Sequence, residues 1–141
     1  MSQDYILRVI EQVTQMLAAI LALRKAGRNA EAAKEIEAVC LQTVGLPLNL
    51  VNRSSPETIL QLLESGGGTQ HVRVVMLAEL LLQHAELSDA AGKNREAMIS
   101  RAQAHSLLAR NIDSLSPDEQ AVYRPKLEAI AERLKGSNLN I

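Results

Sequence analysis

A six-residue phrase occurs twice in this chain of 141 residues, and it limits the folds that the chain can adopt. Gly27 to Ala32 is Gly-Arg-Asn-Ala-Glu-Ala, and 65 residues later Gly92 to Ala97 is Gly-Lys-Asn-Arg-Glu-Ala. Each copy lies between two long segments in which apolar residues recur with helical spacing. A glycine followed by a polar turn and Glu-Ala is typical of a tight connection between antiparallel helices. The sequence therefore predicts a duplicated helical hairpin.

Helical spacing of apolar residues runs through most of the chain, and no segment alternates apolar and polar residues with the period of a strand. The core must be aliphatic, because the sequence contains no Phe, no Trp and only two Tyr. We predict an all-α fold of five to six antiparallel helices, arranged as two hairpins and a C-terminal capping helix. The apolar stripe of the first helix is broad enough to be buried on two sides, between helices or against a second subunit.

The length of the chain is typical of a single domain, which we predict over residues 1–135. Its predicted parts are a first hairpin at about 3–44, a connector and short helix at 45–65, a second hairpin at about 69–113, a capping helix at 117–135 and a flexible tail at 136–141. Ser116 and Glu119 can form a capping box at the start of the last helix. Pro125 predicts a kink or a restart within that helix.

The connector at 45–52 is predicted to be irregular but pinned to the core, because it is rich in Leu and Val. The glycines at 66–68 predict a flexible break between the two halves of the chain. Val122, Leu127, Ile130 and Leu134 are expected to form the apolar face of the capping helix.

The charge balance argues against a nucleic-acid partner. The chain has 15 Lys and Arg against 16 Asp and Glu, a net charge of −1. Binding to nucleic acid requires a basic stripe that neutralises several phosphates. The densest basic group, Arg24, Lys25 and Arg28, is diluted by Glu31 and Glu35.

We also expect no membrane partner and a cytoplasmic location. The longest uninterrupted apolar run covers residues 16–23, whereas a helix that spans a bilayer needs about 20 apolar residues. The start of the sequence lacks the basic and apolar regions of a secretion signal. Cys40 is the only cysteine, which excludes a disulfide framework and a Cys-based zinc site.

The repeated Gly-basic-Asn-x-Glu-Ala phrase, with a helix on either side, resembles the inter-helix turn of tetratricopeptide repeats. In that family a small residue follows five positions after the glycine, where this chain has Ala32 and Ala97. The chain departs from the family pattern at Ile20, His84, Ser88 and Arg101. The two copies are also 65 residues apart, whereas one repeat of the family has about 34 residues.

The resemblance implies that the first helix of each hairpin lines a groove for a protein partner. It would place Thr14, Leu17, Leu21, Arg24 and Lys25 from the first hairpin there, and Glu79, Leu82, Glu86 and Asp89 from the second. One wall would end in basic residues and the other in acidic residues, so a partner of a single charge sign is not predicted. The favoured alternative for Leu17 and Leu21 is a place in the core or in a dimer seam.

A second resemblance covers most of the chain. Asp4 to Arg8 is Asp-Tyr-Ile-Leu-Arg, and the Gly27 turn, Gly45-Leu46 and the helix start at 55–57 follow it. This order is similar to a family of small, all-helical bacterial proteins without a characterised function. The similarity implies a bacterial cytosolic protein with an all-α fold, and it implies nothing about activity.

No catalytic, cofactor or metal site is predicted. The three histidines, His71, His84 and His105, lack the partner histidine at spacing three or four that a helical metal site needs. Cys40 lies on an apolar stripe and is expected to be a buried, inert thiol. Residues 65–69 lack the Gly-Lys-Ser/Thr ending of a phosphate-binding loop and are expected to be a linker.

These observations predict a non-catalytic protein–protein interaction or self-association module, which would not be an enzyme. A symmetric homodimer is one form that such a module takes. The alternative is a helical bundle that binds a small molecule or a metal ion, with His84, Glu79 or Glu86 as polar anchors.

Overall fold

The computed structural model of this chain describes residues 3–64 and 70–136. The helices in these residues are α1 (Gln3–Lys25), α2 (Asn29–Val39), α3 (Leu48–Asn52), α4 (Pro56–Glu64), α5 (Gln70–Ala90), α6 (Asn94–Asn111) and α7 (Pro117–Lys135). A π-helical turn, Cys40–Val44, continues α2, and a 3-10 turn, Ile112–Ser114, continues α6. The described residues contain no strand, which confirms the all-α prediction. The predicted break at 66–68 and the predicted tail from residue 137 onward lie outside them.

The segment predicted to be an irregular connector contains a short helix, so the described residues hold seven α-helices where five to six were expected. Pro47 precedes α3 with extended backbone, and its carbonyl accepts from the amides of Leu50 and Val51 at 3.1 and 3.2 Å. Leu48 and Val51 are buried, so the segment is pinned to the core as predicted. Proline fits this place because the first turn of a helix needs no intrahelical donor from it.

The two copies of the repeated phrase form the same helix-ending turn. Arg28 N donates to Leu23 O at 2.9 Å, and Lys93 N donates to Ser88 O at 2.8 Å. The glycine of each turn donates to the carbonyl three residues earlier at 3.0 Å. Both glycines have a positive φ, near +75°, which completes a Schellman motif. The predicted tight turns are therefore present after α1 and after α5.

Helix α5 is the centre of the molecule. Nearly all of its own residues from 72 to 81 are buried. Helices α1, α2, α4 and α6 and the π-helical turn all pack against it. Arg73 fastens two of these neighbours, since its guanidinium donates to Leu63 O at 3.2 Å and to Val44 O. These carbonyls end α4 and the π-helical turn, where helical acceptors lack intrahelical partners.

Helix α7 packs against α6 and begins with the predicted capping box. Ser116 N donates to Glu119 Oε1 at 3.1 Å, and Glu119 N donates to Ser116 Oγ at 3.2 Å. The helix is a single element through Pro125, so of the two predicted alternatives the restart is wrong and the kink stays a prediction.

The prediction for Val122 is also wrong, because this side chain is 62% exposed. Ile130 and Leu134 form the buried stripe, with the half-buried Leu127 beside them. Val122 instead shares a neighbouring stripe with Lys126, because residues four apart lie on one face of a helix. None of the helices in the described part of the chain is both long enough and apolar enough to cross a membrane.

Candidate docking groove

Helices α1, α5 and α7, together with Arg101 of α6, line a groove on one side of the molecule, which we call the α5 groove. It has two parts that share Glu79. The first, the tyrosine pocket, has a volume of about 70 Å³ and is lined by Val13, Thr14, Leu17, Val72, Val75, Glu79, Glu119 and Tyr123. The second, the ionic cleft, has a volume of about 260 Å³ and is lined by Glu79, Leu82, Gln83, Glu86, Arg101, Lys126, Ala129, Ile130 and Arg133.

The ionic cleft is built around two carboxylates of α5. Arg133 reaches Glu86 at 2.6 Å and Asp89 at 3.1 Å. Arg101 reaches the same two carboxylates at 3.2 and 2.5 Å. Arg24 lies 3.8 Å from Glu86, so the network joins α1, α5, α6 and α7. Hydrogen-bonded ion pairs of this kind fix the relative positions of the helices that carry them.

Arg101 departs from the tetratricopeptide pattern, yet it is only 5% exposed. A buried charge is costly unless it is paired and hydrogen-bonded. Glu86 and Asp89 supply that pairing. Burial opposes ionisation of Glu86, but the hydrogen bonds and charges of Arg133 and Arg101 prevail and lower its pKa. Glu86 therefore stays ionised at neutral pH.

Glu79 lies where the two parts of the groove meet, and its side chain is buried. Lys126 of α7 pairs with Glu79 Oε1, and its ammonium nitrogen lies 5.7 Å from the centroid of the Tyr123 ring. Burial, followed by the negative charges of Glu79 and Glu119, raises the pKa of Tyr123. The phenol therefore remains protonated at neutral pH, and two carboxylates lie close to it.

The structure brings together five of the seven residues predicted to form the interaction surface. Leu17 and Glu79 line the tyrosine pocket. Arg24 donates to Gln83 Oε1 at 2.7 Å and lies 3.8 Å from Glu86, and both of these residues line the ionic cleft.

Leu82 also lines the cleft. Leu21 is 37% exposed and lies between Leu17 and Arg24 on the same face of α1, at spacings of four and three. Lys25 is exposed at the end of α1 and lines neither part of the groove.

The residues of α7 and Arg101 were not predicted for this surface. Lys126, Ala129 and Arg133 recur at spacings of three and four, so the sequence did contain a helical stripe of α7. Spacing alone does not tell which helix this stripe faces, because Lys126 and Arg133 each pair with a residue 47 positions away.

On the other side of α5, His84 belongs to a polar network. His84 Nδ1 lies 2.7 Å from Ser100 Oγ, and Asn52 Nδ2 donates to the same oxygen at 3.0 Å. Burial lowers the pKa of His84, against the opposing charges of Glu96 and Glu37. The network ties α3 to α5 and α6, and burial favours the neutral form of the imidazole.

Cys40 is buried, as predicted, and its thiol donates to Leu46 O at 3.1 Å. Burial raises its pKa to about 11, so the thiolate that acts as a nucleophile is not formed at neutral pH. Within residues 3–64 and 70–136, no three His, Cys, Asp or Glu side chains are grouped to hold a metal ion.

Comparisons of this chain with protein-family models, with curated proteins and with solved structures returned no match.

Proposed function

We propose that this chain is a non-catalytic docking module, which binds a segment of a partner protein or of a second copy of itself in the α5 groove. The observation that carries the proposal is the shape and lining of that groove. Helices α1, α5 and α7 and Arg101 of α6 line it, one part is largely apolar, and the other is a network of paired charges. Protein interfaces combine an apolar centre with a polar rim in the same way.

Large apolar side chains beside the groove, on the helices that form its two walls, support the proposal. Leu21 of α1 is 37% exposed and Val122 of α7 is 62% exposed. Val122 shares the stripe of Lys126, Ala129 and Arg133, which face the cleft. A docked segment would cover both side chains, and removing apolar surface from water drives association.

The paired charges support a binding role rather than a catalytic one. Glu79, Glu86 and Asp89 are each held by at least one cation in the described residues. A general base must be within reach of a substrate proton and have a pKa near the working pH. The lowered pKa of Glu86 does not suit that role. The near balance of charge in the chain likewise favours a protein over nucleic acid, and a cytosolic setting is part of the proposal.

Charged substitutions at the groove test this function. We expect Leu21→Glu to weaken association by about tenfold or more, because a carboxylate would be stripped of water in the interface. Leu41→Glu is the matched control, since Leu41 is 56% exposed on the π-helical turn, whereas Leu21 lies between Leu17 and Arg24 on the face of α1 beside the groove. Self-association is measured by sedimentation equilibrium. Partner binding is measured by quantitative affinity purification from native cytosol with each variant as bait.

The result that supports the proposal is an association that Leu41→Glu retains and Leu21→Glu loses. The proposal is rejected if the protein is monomeric at all accessible concentrations and the two variants retain the same proteins. Circular dichroism of each variant checks that the fold is intact.

A further inference from the structure

The tyrosine pocket joins apolar walls to two buried carboxylates. Glu79 and Glu119 are each 8% exposed, and Val72, Val75 and Leu17 supply aliphatic surface beside them. No basic residue lines the pocket, although Lys126 pairs with Glu79 from the adjoining cleft. The lining therefore carries more negative than positive charge. This imbalance is local, since the cleft next to it contains four cations in its network.

Each of the two carboxylates uses only part of its capacity to accept hydrogen bonds. Glu119 accepts the amide of Ser116 through Oε1, and Glu79 pairs with Lys126 through Oε1. An ionised carboxylate has two oxygens and about four acceptor positions. An apolar side chain placed in the pocket would strip water from these oxygens without replacing its hydrogen bonds, which is costly. The pocket therefore favours an occupant that has an aliphatic stem and a cationic head.

We propose that the tyrosine pocket receives the side chain of an arginine from the docked segment. The volume of about 70 Å³ is room for a few water-sized groups, which is enough for a flat guanidinium. A guanidinium has five donors in a fixed fork and is more weakly hydrated than an ammonium. Burying it beside two carboxylates therefore costs less desolvation free energy. Its planar face can also lie against the ring of Tyr123. This inference rests on the proposed docking function, because it names a residue of the docked partner.

A small probe tests the pocket without a partner. The chain contains no Trp, and Tyr5 and Tyr123 are its only tyrosines. In a Tyr5→Phe background, tyrosine fluorescence therefore reports Tyr123 alone. We expect n-butylguanidinium to change this fluorescence saturably, with a Kd of about 1–10 mM, as is typical of so small a ligand. Butylammonium should bind about fivefold more weakly, and the neutral n-butylurea should give no saturation in that range.

The charge of the pocket is removed by Glu119→Gln. Glutamine also completes a capping box, so this variant should keep the start of α7 intact. We expect its Kd for n-butylguanidinium to rise by about tenfold, which is the loss of one charged hydrogen bond. Glu128→Gln is the control, because Glu128 is exposed on α7 and does not line the pocket. If thermal melting shows that Glu119→Gln is unfolded, Glu79→Gln replaces it in the same titration.

The inference is overturned if butylurea or butylammonium binds as tightly as butylguanidinium, or if removing the carboxylate leaves the Kd unchanged. It is also overturned if none of the probes gives a saturable signal. Such an outcome is distinguishable from failure of the docking function. Leu21 does not line the tyrosine pocket, so association that depends on Leu21 would persist with a pocket that does not take arginine.

Discussion

His84 shows how one residue can make stability depend on pH. Burial lowers its pKa, so the unfolded chain takes up a proton near the ordinary value of about 6.5 while the folded chain stays neutral. The folded state is not penalised above that pH. It loses stability as the pH falls through that value, by at most about 1.4 kcal/mol per pH unit for one group. We therefore expect the urea concentration at the midpoint of unfolding to decrease as the pH is lowered from 7.5 to 5.5.

The substitution His84→Gln should reduce this fall, since glutamine does not titrate. A smaller fall should remain, because burial lowers the pKa of His105 as well. His105→Gln serves as the comparison, and the double variant should show the smallest dependence. Glu86 does not contribute to this pH dependence, since a carboxylate with a lowered pKa changes stability only below the pH range of the experiment. Equal slopes for the wild type and the double variant would contradict this account.

Single residues also mark the limit of inference from local sequence. Arg101 departs from the tetratricopeptide pattern, and its charged side chain is buried and paired with Glu86 and Asp89. His84 and Ser88 are further departures. His84 shares a hydrogen bond with Ser100, and Ser88 supplies a carbonyl to the Gly92 turn. The partners that satisfy Arg101 and His84 are more than ten residues away, so local spacing does not identify them.

At the level of helices, the two repeated turns should respond to substitution in the same way. Gly27 and Gly92 have φ values of 75° and 76°, and a Cβ at either position would meet no heavy atom within 4 Å. The cost of alanine is therefore a backbone cost alone. We expect Gly27→Ala and Gly92→Ala each to lower the free energy of unfolding by about 1–2 kcal/mol, measured by urea denaturation.

Gly136 provides the matched control for these turns, because its φ is −69° and alanine adopts that conformation without strain. Gly136→Ala should change stability by less than about 0.5 kcal/mol. The structural equivalence of the two turns would be contradicted if one glycine tolerated alanine as well as Gly136 does.

Helices were predicted best where the signal is local. The capping box of Ser116 and Glu119 and the turn glycines fall where the sequence placed them. Prediction failed where neighbouring elements decide the outcome. Val122 has an apolar side chain at a position beside the buried stripe, and α3 forms because Leu48 and Val51 find a place in the core.

At the level of the whole molecule, the groove could be predicted only in part. The resemblance to tetratricopeptide turns selected α1 and α5, and Leu17, Arg24, Glu79, Leu82 and Glu86 do contribute to the two parts of the groove. The wall formed by α7 was not predicted. Its position follows from packing against α6, which spacing along the sequence does not reveal.

The central position of α5 determines how the molecule should unfold. Five elements pack on this helix, so its middle cannot be exposed without separating most of the structure. We expect the amides of residues 74–81 to be the slowest to exchange with deuterium, through global unfolding. Leu77 is fully buried there, and Leu77→Ala should lower the free energy of unfolding by about 2–5 kcal/mol.

Hydrogen exchange measured by NMR in the wild type and in the Leu77→Ala variant tests whether the two hairpins, α1–α2 and α5–α6, unfold as one unit. In the Leu77→Ala variant, the slowest amides of α1, α5 and α6 should lose protection by the same amount, because they share one opening reaction. Val122→Ala is the control, since this exposed side chain should contribute less than about 0.5 kcal/mol. Loss of protection confined to α5 and α6, with α1 unchanged, would mean that the halves open separately and that the groove between α1 and α7 is not held by a single cooperative fold.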